Sequence, residues 1–187
     1  MTAPASTLKQ LHRPLPRLGA SSLREAPDEF GKYQFQLVAR NIADAVLSIG
    51  GLIFDRAMAG WDVSVVIDGE IDGAVDDRPI GILGARLATR MSGPNYARAL
   101  PRPHLLAVAT DVMVKSDSVR RHVLALGHDT ETDVLLWGRH HPTNFARTFV
   151  AARHQPSAAA HIFKSHALLA VGAQVIPRAD EGFYSMA

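Results

Sequence analysis

Residues 104–138 read HLLAVATDVMVKSDSVRRHVLALGHDTETDVLLWG, and this stretch decides the fold. His104 to Ala109 is a short apolar run of strand character. Ser116 or Asp117 then offers a side-chain oxygen to the free amides of a helix's first turn. Val119, Val123, Leu124 and Leu126 follow as its apolar residues, and Gly127 supplies the stop. A short acidic turn, Asp129 to Thr132, leads into Asp133-Val134-Leu135-Leu136-Trp137-Gly138, a second strand. Strands alternating with helices in this way belong to a layered α/β fold with a mainly parallel sheet.

Upstream, Trp61 to Ile67 is valine-rich and closes at Asp68-Gly69, the pattern of a buried strand followed by a turn. Pro79 to Ala85, with Ile80, Ile82 and Leu83, predicts a further strand. The acidic loop 68–78 between them allows a long hairpin that makes part of the sheet antiparallel. Ahead of these, Phe30, Tyr33, Leu37, Val38, Ile42, Val46 and Ile49 keep a 3.6 period from a start at Asp28-Glu29, which predicts a long helix. Gly50-Gly51 interrupts it before Leu52, Ile53 and Phe54 resume, with Gly60 as the stop. Each glycine costs about 1 kcal/mol in a helix interior. The pair therefore marks a kink, a break or a close helix–sheet contact.

Residues 91–103 hold three prolines and read as loop. After Pro142 two helices are expected, Asn144 to Arg153 and Ser157 to Val171, divided by Pro156, with a short strand at Gln174 to Ile176. The fold expected is α/β: a single-domain layered fold over residues 28–187, with a mixed, mainly parallel sheet of four to five strands packed by helices. Residues 1–27 place Pro4, Pro14, Pro16 and Pro27 among Lys9, Arg13, Arg17 and Arg24, and read as a proline-containing basic N-terminal arm.

Composition narrows the function classes. With 187 residues, 47% apolar and 20% charged, the chain has material for one real core and is not disordered. It has no cysteine, which removes disulfides, thiolate zinc sites, iron–sulfur clusters and cysteine nucleophiles. Net charge is only +2, and the signs alternate by segment rather than forming one polyanion-binding face. The most apolar window, Ile42 to Phe54, carries Asp44 and falls short of the roughly 20 residues a spanning helix needs. Met1 to Leu8 has no secretory apolar core, so a cytoplasmic protein with no membrane partner is expected.

Motifs are mostly absent. There is no P-loop, no G-x-G-x-x-G, no G-x-S-x-G and no H-E-x-x-H. Asp68, Glu70, Asp72 and Gly73 mimic half a calcium loop, but its twelfth position is Pro79. His161 and His166 are five apart, which on a helix points them about 140° apart, too far for a shared metal. One constellation rests on topology. Asp68, Asp111, Arg139, His140 and His141 follow the carboxyl ends of strands, where open α/β sheets bind ligands. As neighbours they would form a rim able to hold a metal or a phosphate, or to transfer protons. No residue is assigned as a metal ligand outright, and no cofactor is identified.

The absence of a complete catalytic motif makes a non-enzymatic protein-interaction or regulatory module the leading expectation. Its partner is another protein or a second copy, with the long first helix, at Val38 and Ile42, as the interface. The alternative is a small metal- or phosphate-binding hydrolase-like enzyme using the strand-end rim. A third is a nucleic-acid accessory factor using Arg86, Arg90, Arg98, Arg102 and Arg120-Arg121 with Tyr96. Trp61 and Trp137 are expected to cap the ends of core strands, with each indole N–H near water.

Overall fold

A computed structural model of the chain describes residues 32–68, 75–88, 102–126, 131–139 and 149–186. Seven strands form one sheet: β1 (Gln34–Ala39), β2 (Asp62–Ile67), β3 (Arg86–Leu87), β4 (Leu105–Ala109), β5 (Asp133–Trp137), β6 (Phe149–His154) and β7 (Glu181–Met186). The described helices are α1 (Ile42–Met58), α2 (Arg78–Ile82), α3 (Thr110–Lys115), α4 (Asp117–Leu126) and α5 (Ala158–Ala170). The order across the sheet is β3-β2-β1-β4-β5-β7-β6. β3, β2, β1, β4 and β5 run parallel, while β7 pairs antiparallel with both β5 and β6. The mixed, mainly parallel α/β architecture stands; the count of four to five strands is corrected to seven.

Chain direction places the helices. From β1 the sheet grows one way through α1 to β2, and from β4 the other way through α3 and α4 to β5. Right-handed crossovers moving in opposite directions lie on opposite faces. α1 and α2 therefore cover one face, joined by α5, and α3 and α4 the other. With both faces covered, β1, β2, β4 and β5 are buried almost throughout and carry no clean apolar–polar alternation.

That double burial explains the largest correction. The expected helix from Asp28 does not include residues 34–39, which are β1 at the centre of the sheet. Five consecutive buried residues there satisfy a helical period as readily as a strand. Val38 is 1% exposed inside the sheet, so the proposed oligomer interface at Val38 and Ile42 is withdrawn. α1 begins only at Ile42, where Asn41 Oδ1 accepts the Asp44 amide at 2.8 Å.

The glycine pair does not break α1, which runs unbroken through Gly50-Gly51. The pair allows close approach instead. A side chain on Gly51 would stand 2.6 Å from Pro156 Cγ and 2.9 Å from Glu181 Oε1, and one on Gly50 3.3 Å from Lys164 Cγ. Glu181 accepts the Gly51 and Leu52 amides at 2.7 and 2.9 Å and the Lys164 ammonium at 2.6 Å, with both side chains 1% exposed. A buried ion pair thus docks α5 and β7 against the middle of α1, where only a missing Cβ leaves room.

Three local expectations also change. Residues 79–85 are not a strand. Pro79 sits in the first turn of α2, where its missing amide costs nothing, and the strand is the two-residue β3. The expected helix Asn144–Arg153 is replaced at its described end by β6, an edge strand whose exposed residues blur any period. Gln174 to Ile176 forms no strand, and the final strand is β7. The helix expected from Ser157 is α5, with Ser157 as its cap, the hydroxyl accepting from Ala160 N at 3.1 Å. Residues 1–27 lie outside the described residues. Among the described residues no helix is long and apolar enough to cross a membrane.

Candidate functional site

β2, β1, β4 and β5 send their carboxyl ends to one edge of the sheet. The registers Ala39↔Ile67, Val38↔Val108 and Ala109↔Trp137 keep those ends level. The residues that follow are Asp68 after β2, Arg40-Asn41 after β1, Thr110-Asp111 after β4 and Gly138-Arg139 after β5. The sheet's growth reverses between β1 and β4, and this switch point is where open α/β sheets leave a crevice for ligands.

Arg40 and Asp111 stand on its two banks. Arg40 Nη1 lies 3.8 Å from Asp111 Oδ2, with side chains 53% and 29% exposed. A pair this long and this wet contributes about 0–1 kcal/mol to stability. It is held loosely enough for a ligand anion to displace it. Behind Arg40, Asn41 caps α1, whose first-turn amides of Ile42 and Ala43 lie beyond the reach of intrahelical acceptors and carry the positive end of a 17-residue helix. Across the crevice, Gly138 holds a φ of 127°, and a side chain there would collide with Thr110 Oγ1. That glycine lets the turn carrying Arg139 press against Thr110, which is 1% exposed and whose hydroxyl has no hydrogen-bond partner among the described residues.

The rim expected from the sequence is therefore real as an edge but is a line rather than a cluster. Asp68, whose amide donates to Ala39 O at 2.9 Å, is two strand spacings from Asp111, about 10 Å. Arg139 lies one spacing beyond Asp111, about 5 Å, and three from Asp68, about 14 Å. The structure brings Asp111 and Arg139 to adjacent strands and leaves Asp68 apart. His140 and His141 lie outside the described residues. Arg40 and Asn41, the central pair, escaped the sequence reading because residues 28–49 scanned as one helix. The signal was present: a polar Arg-Asn step between two apolar runs, with Asn suited to a cap.

The other candidates fall to structural duties. Arg86 pairs with Asp62 at 3.2 Å, and that hydrogen bond holds the Asp62 carboxyl below its ordinary range; Arg120 pairs with Asp117 at 2.6 Å. Those cations are neutralised, while Arg90, Tyr96 and Arg98 lie outside the described residues. Trp137 is 2% exposed, and its indole nitrogen is buried without a hydrogen-bond partner among the described residues, not near water as expected. Trp61 is half-buried and stacks on Tyr33 with ring centres 5.1 Å apart.

No protein-family model matches the chain, and no curated protein matches it. Solved structures do. An A40926 pseudoaglycone deacetylase superposes with a TM-score of 0.57 at 12% identity, covering 84% of this chain and 98% of its own. The zinc-inhibited form of teicoplanin deacetylase Orf2 gives 0.55 at 12%, covering 82% and 98%. The conserved protein TT1542 from Thermus thermophilus gives 0.50 at 17%, covering 75% and 79%. At such identities the likeness establishes the fold. The expectation of a non-enzymatic interaction module is corrected to this extent: the neighbours matched along nearly their whole length are named as deacetylases, and none of them as an interaction module.

Zinc in one neighbour raises the question of whether this rim suits a metal ion. Among the described residues, no group of three or more His, Asp or Glu could hold one. At the switch point a cation would meet the Arg40 guanidinium beside Asp111, while Asp44, in the first turn of α1, accepts from Ser48 Oγ at 3.3 Å. The described residues do not fit zinc.

Proposed function

We propose that the chain is a hydrolase-like enzyme that removes an acetyl group from an anionic substrate held at the β1/β4 crevice. The observation that supports this most is the Arg40–Asp111 pair spanning the switch point, on a fold otherwise found in deacetylases. Arg40 takes the substrate's phosphate or carboxylate, for which a planar fork of donors is suited, and the positive end of α1 assists. The arriving anion replaces Asp111 as Arg40's partner. Asp111 then accepts a proton from the attacking water, whose oxygen adds to the acetyl carbonyl carbon. The C–N bond breaks, acetate leaves, and the amine takes up a proton. Arg139 extends the cationic bank on the β5 side. His140 and His141 are included on sequence position alone, as donors of that proton.

The test is acetate release from an N-acetyl arylamide carrying a phosphate or carboxylate, against its uncharged counterpart. The charged substrate is expected to be preferred. Arg40→Ala should raise KM for it alone, and Asp111→Asn should lower kcat about 100-fold or more. Absence of acetate from both substrates, or activity unchanged in Asp111→Asn, overturns the reading.

A further inference from the structure

A cavity of about 330 Å³ lies at the sheet edge opposite the rim, beneath the carboxyl-terminal half of α1. Leu105 and Asp133, the first residues of β4 and β5, line it, as does Trp61 just ahead of β2. Leu52, Leu135 and Phe183 make an apolar floor. Its volume is at the small end of the roughly 300–1,000 Å³ that ligand pockets span.

Arg56 makes this cavity more than a packing fault. Its guanidinium carbon sits 4.8 Å from the centre of the Trp61 ring, and its Nε is buried with no hydrogen-bond partner among the described residues. Asp133 and Asp55 act on it only through space. Asp55 is otherwise engaged, bonded to His154 Nε2 at 2.9 Å, Ser157 N at 3.0 Å and Ser157 Oγ at 2.6 Å. Buried donors in folded proteins almost always find an acceptor. An arginine set over an aromatic ring, its Nε without an acceptor among the described residues, on the wall of a small chamber whose floor is apolar suits a carboxylate; Arg153, the other arginine lining the chamber, is bonded to Asp180 at 2.6 Å. The neighbouring Asp133 disfavours a doubly charged phosphate, and the floor favours an apolar body.

We infer that this cavity binds a small monocarboxylic acid, its carboxylate on Arg56 and its apolar body on Leu52, Leu135 and Phe183. The site is independent of the hydrolytic rim, and its test does not use activity. Benzoate is titrated into the full chain by calorimetry and by tryptophan fluorescence, with benzyl alcohol as the uncharged control. Saturable one-to-one binding of benzoate is expected, about tenfold weaker for benzyl alcohol and for benzoate on Arg56→Gln. Asp133→Asn, which removes a repelling charge, should tighten benzoate about threefold, a gain that a damaged fold does not produce. No saturation by about 10 mM benzoate, equal binding of the two probes, or unchanged affinity in Arg56→Gln overturns the site. Should Arg56→Gln fail to fold, unchanged affinity in Asp133→Asn does so.

Discussion

Arg40 and Asp111 face each other where the sheet's growth switches direction between β1 and β4, 3.8 Å apart between Nη1 and Oδ2. They are 71 positions apart in the chain. What joins them is the adjacency of β1 and β4, which pair in parallel from Phe35↔Leu105 to Val38↔Val108.

Because that pair is solvated, its removal should separate function from stability. Arg40→Ala is expected to change the denaturation free energy by less than about 1 kcal/mol while weakening anion binding at the rim. Chemical denaturation beside phosphate titration checks both. A large loss of stability would mark Arg40 as structural.

Gly51→Ala should destabilise the fold by about 1–3 kcal/mol, since the new methyl would meet Pro156 and Glu181 at under 3.0 Å in a packed interior. Gly81→Ala is the control. Nothing lies within 4 Å of its added carbon, so relief of glycine's helix penalty should make it neutral or stabilising by up to about 1 kcal/mol. Urea midpoints measured side by side decide it.

Lys164→Met strands Glu181 without its cation at 1% exposure, and a loss of about 3–5 kcal/mol is expected. The double variant Lys164→Met/Glu181→Gln removes both charges and leaves an amide oxygen for the Gly51 or Leu52 amide. It should recover part of that loss. A double-mutant cycle showing simple additivity would refute coupling between the two.

His122, 9% exposed on α4, has its pKa lowered by burial, which disfavours the imidazolium. In the unfolded chain a histidine titrates near 6.5. Below that pH the unfolded state binds more protons than the folded one, so stability falls as pH drops from about 6.5 toward the lowered native value. His122→Gln should flatten this dependence below about pH 6.5, read from denaturant midpoints as the pH is lowered.

The architecture was legible in good part. Residues 62–67, 105–109 and 133–137 announced themselves as strands because fully buried parallel strands are short, apolar runs with turn residues beside them. α4 and α5 showed their starts, at Ser116-Asp117 and at Ser157. β1 did not, since its five consecutive buried residues include positions that stay in phase with the apolar face of α1 across the Arg40-Asn41 step. β6 and β7 did not either, since an edge hairpin takes its stability from its partner and its neighbours rather than from its own pattern.

The candidate site divides the same way. Asp111 and Arg139 could be named from the strands they follow, because a strand's carboxyl end is a local fact. Arg40 could not, because its importance comes from which strands become neighbours. The amino-acid sequence by itself determined the α/β class, the lack of cysteine chemistry, and which runs are buried. The tertiary structure alone decided that β1 is central, that the growth of the sheet reverses beside it, and that Gly51 admits a buried Lys164–Glu181 pair. Burial preference is a property of each residue and can be read one residue at a time. Adjacency depends on how the whole chain closes and is a property of none of them singly.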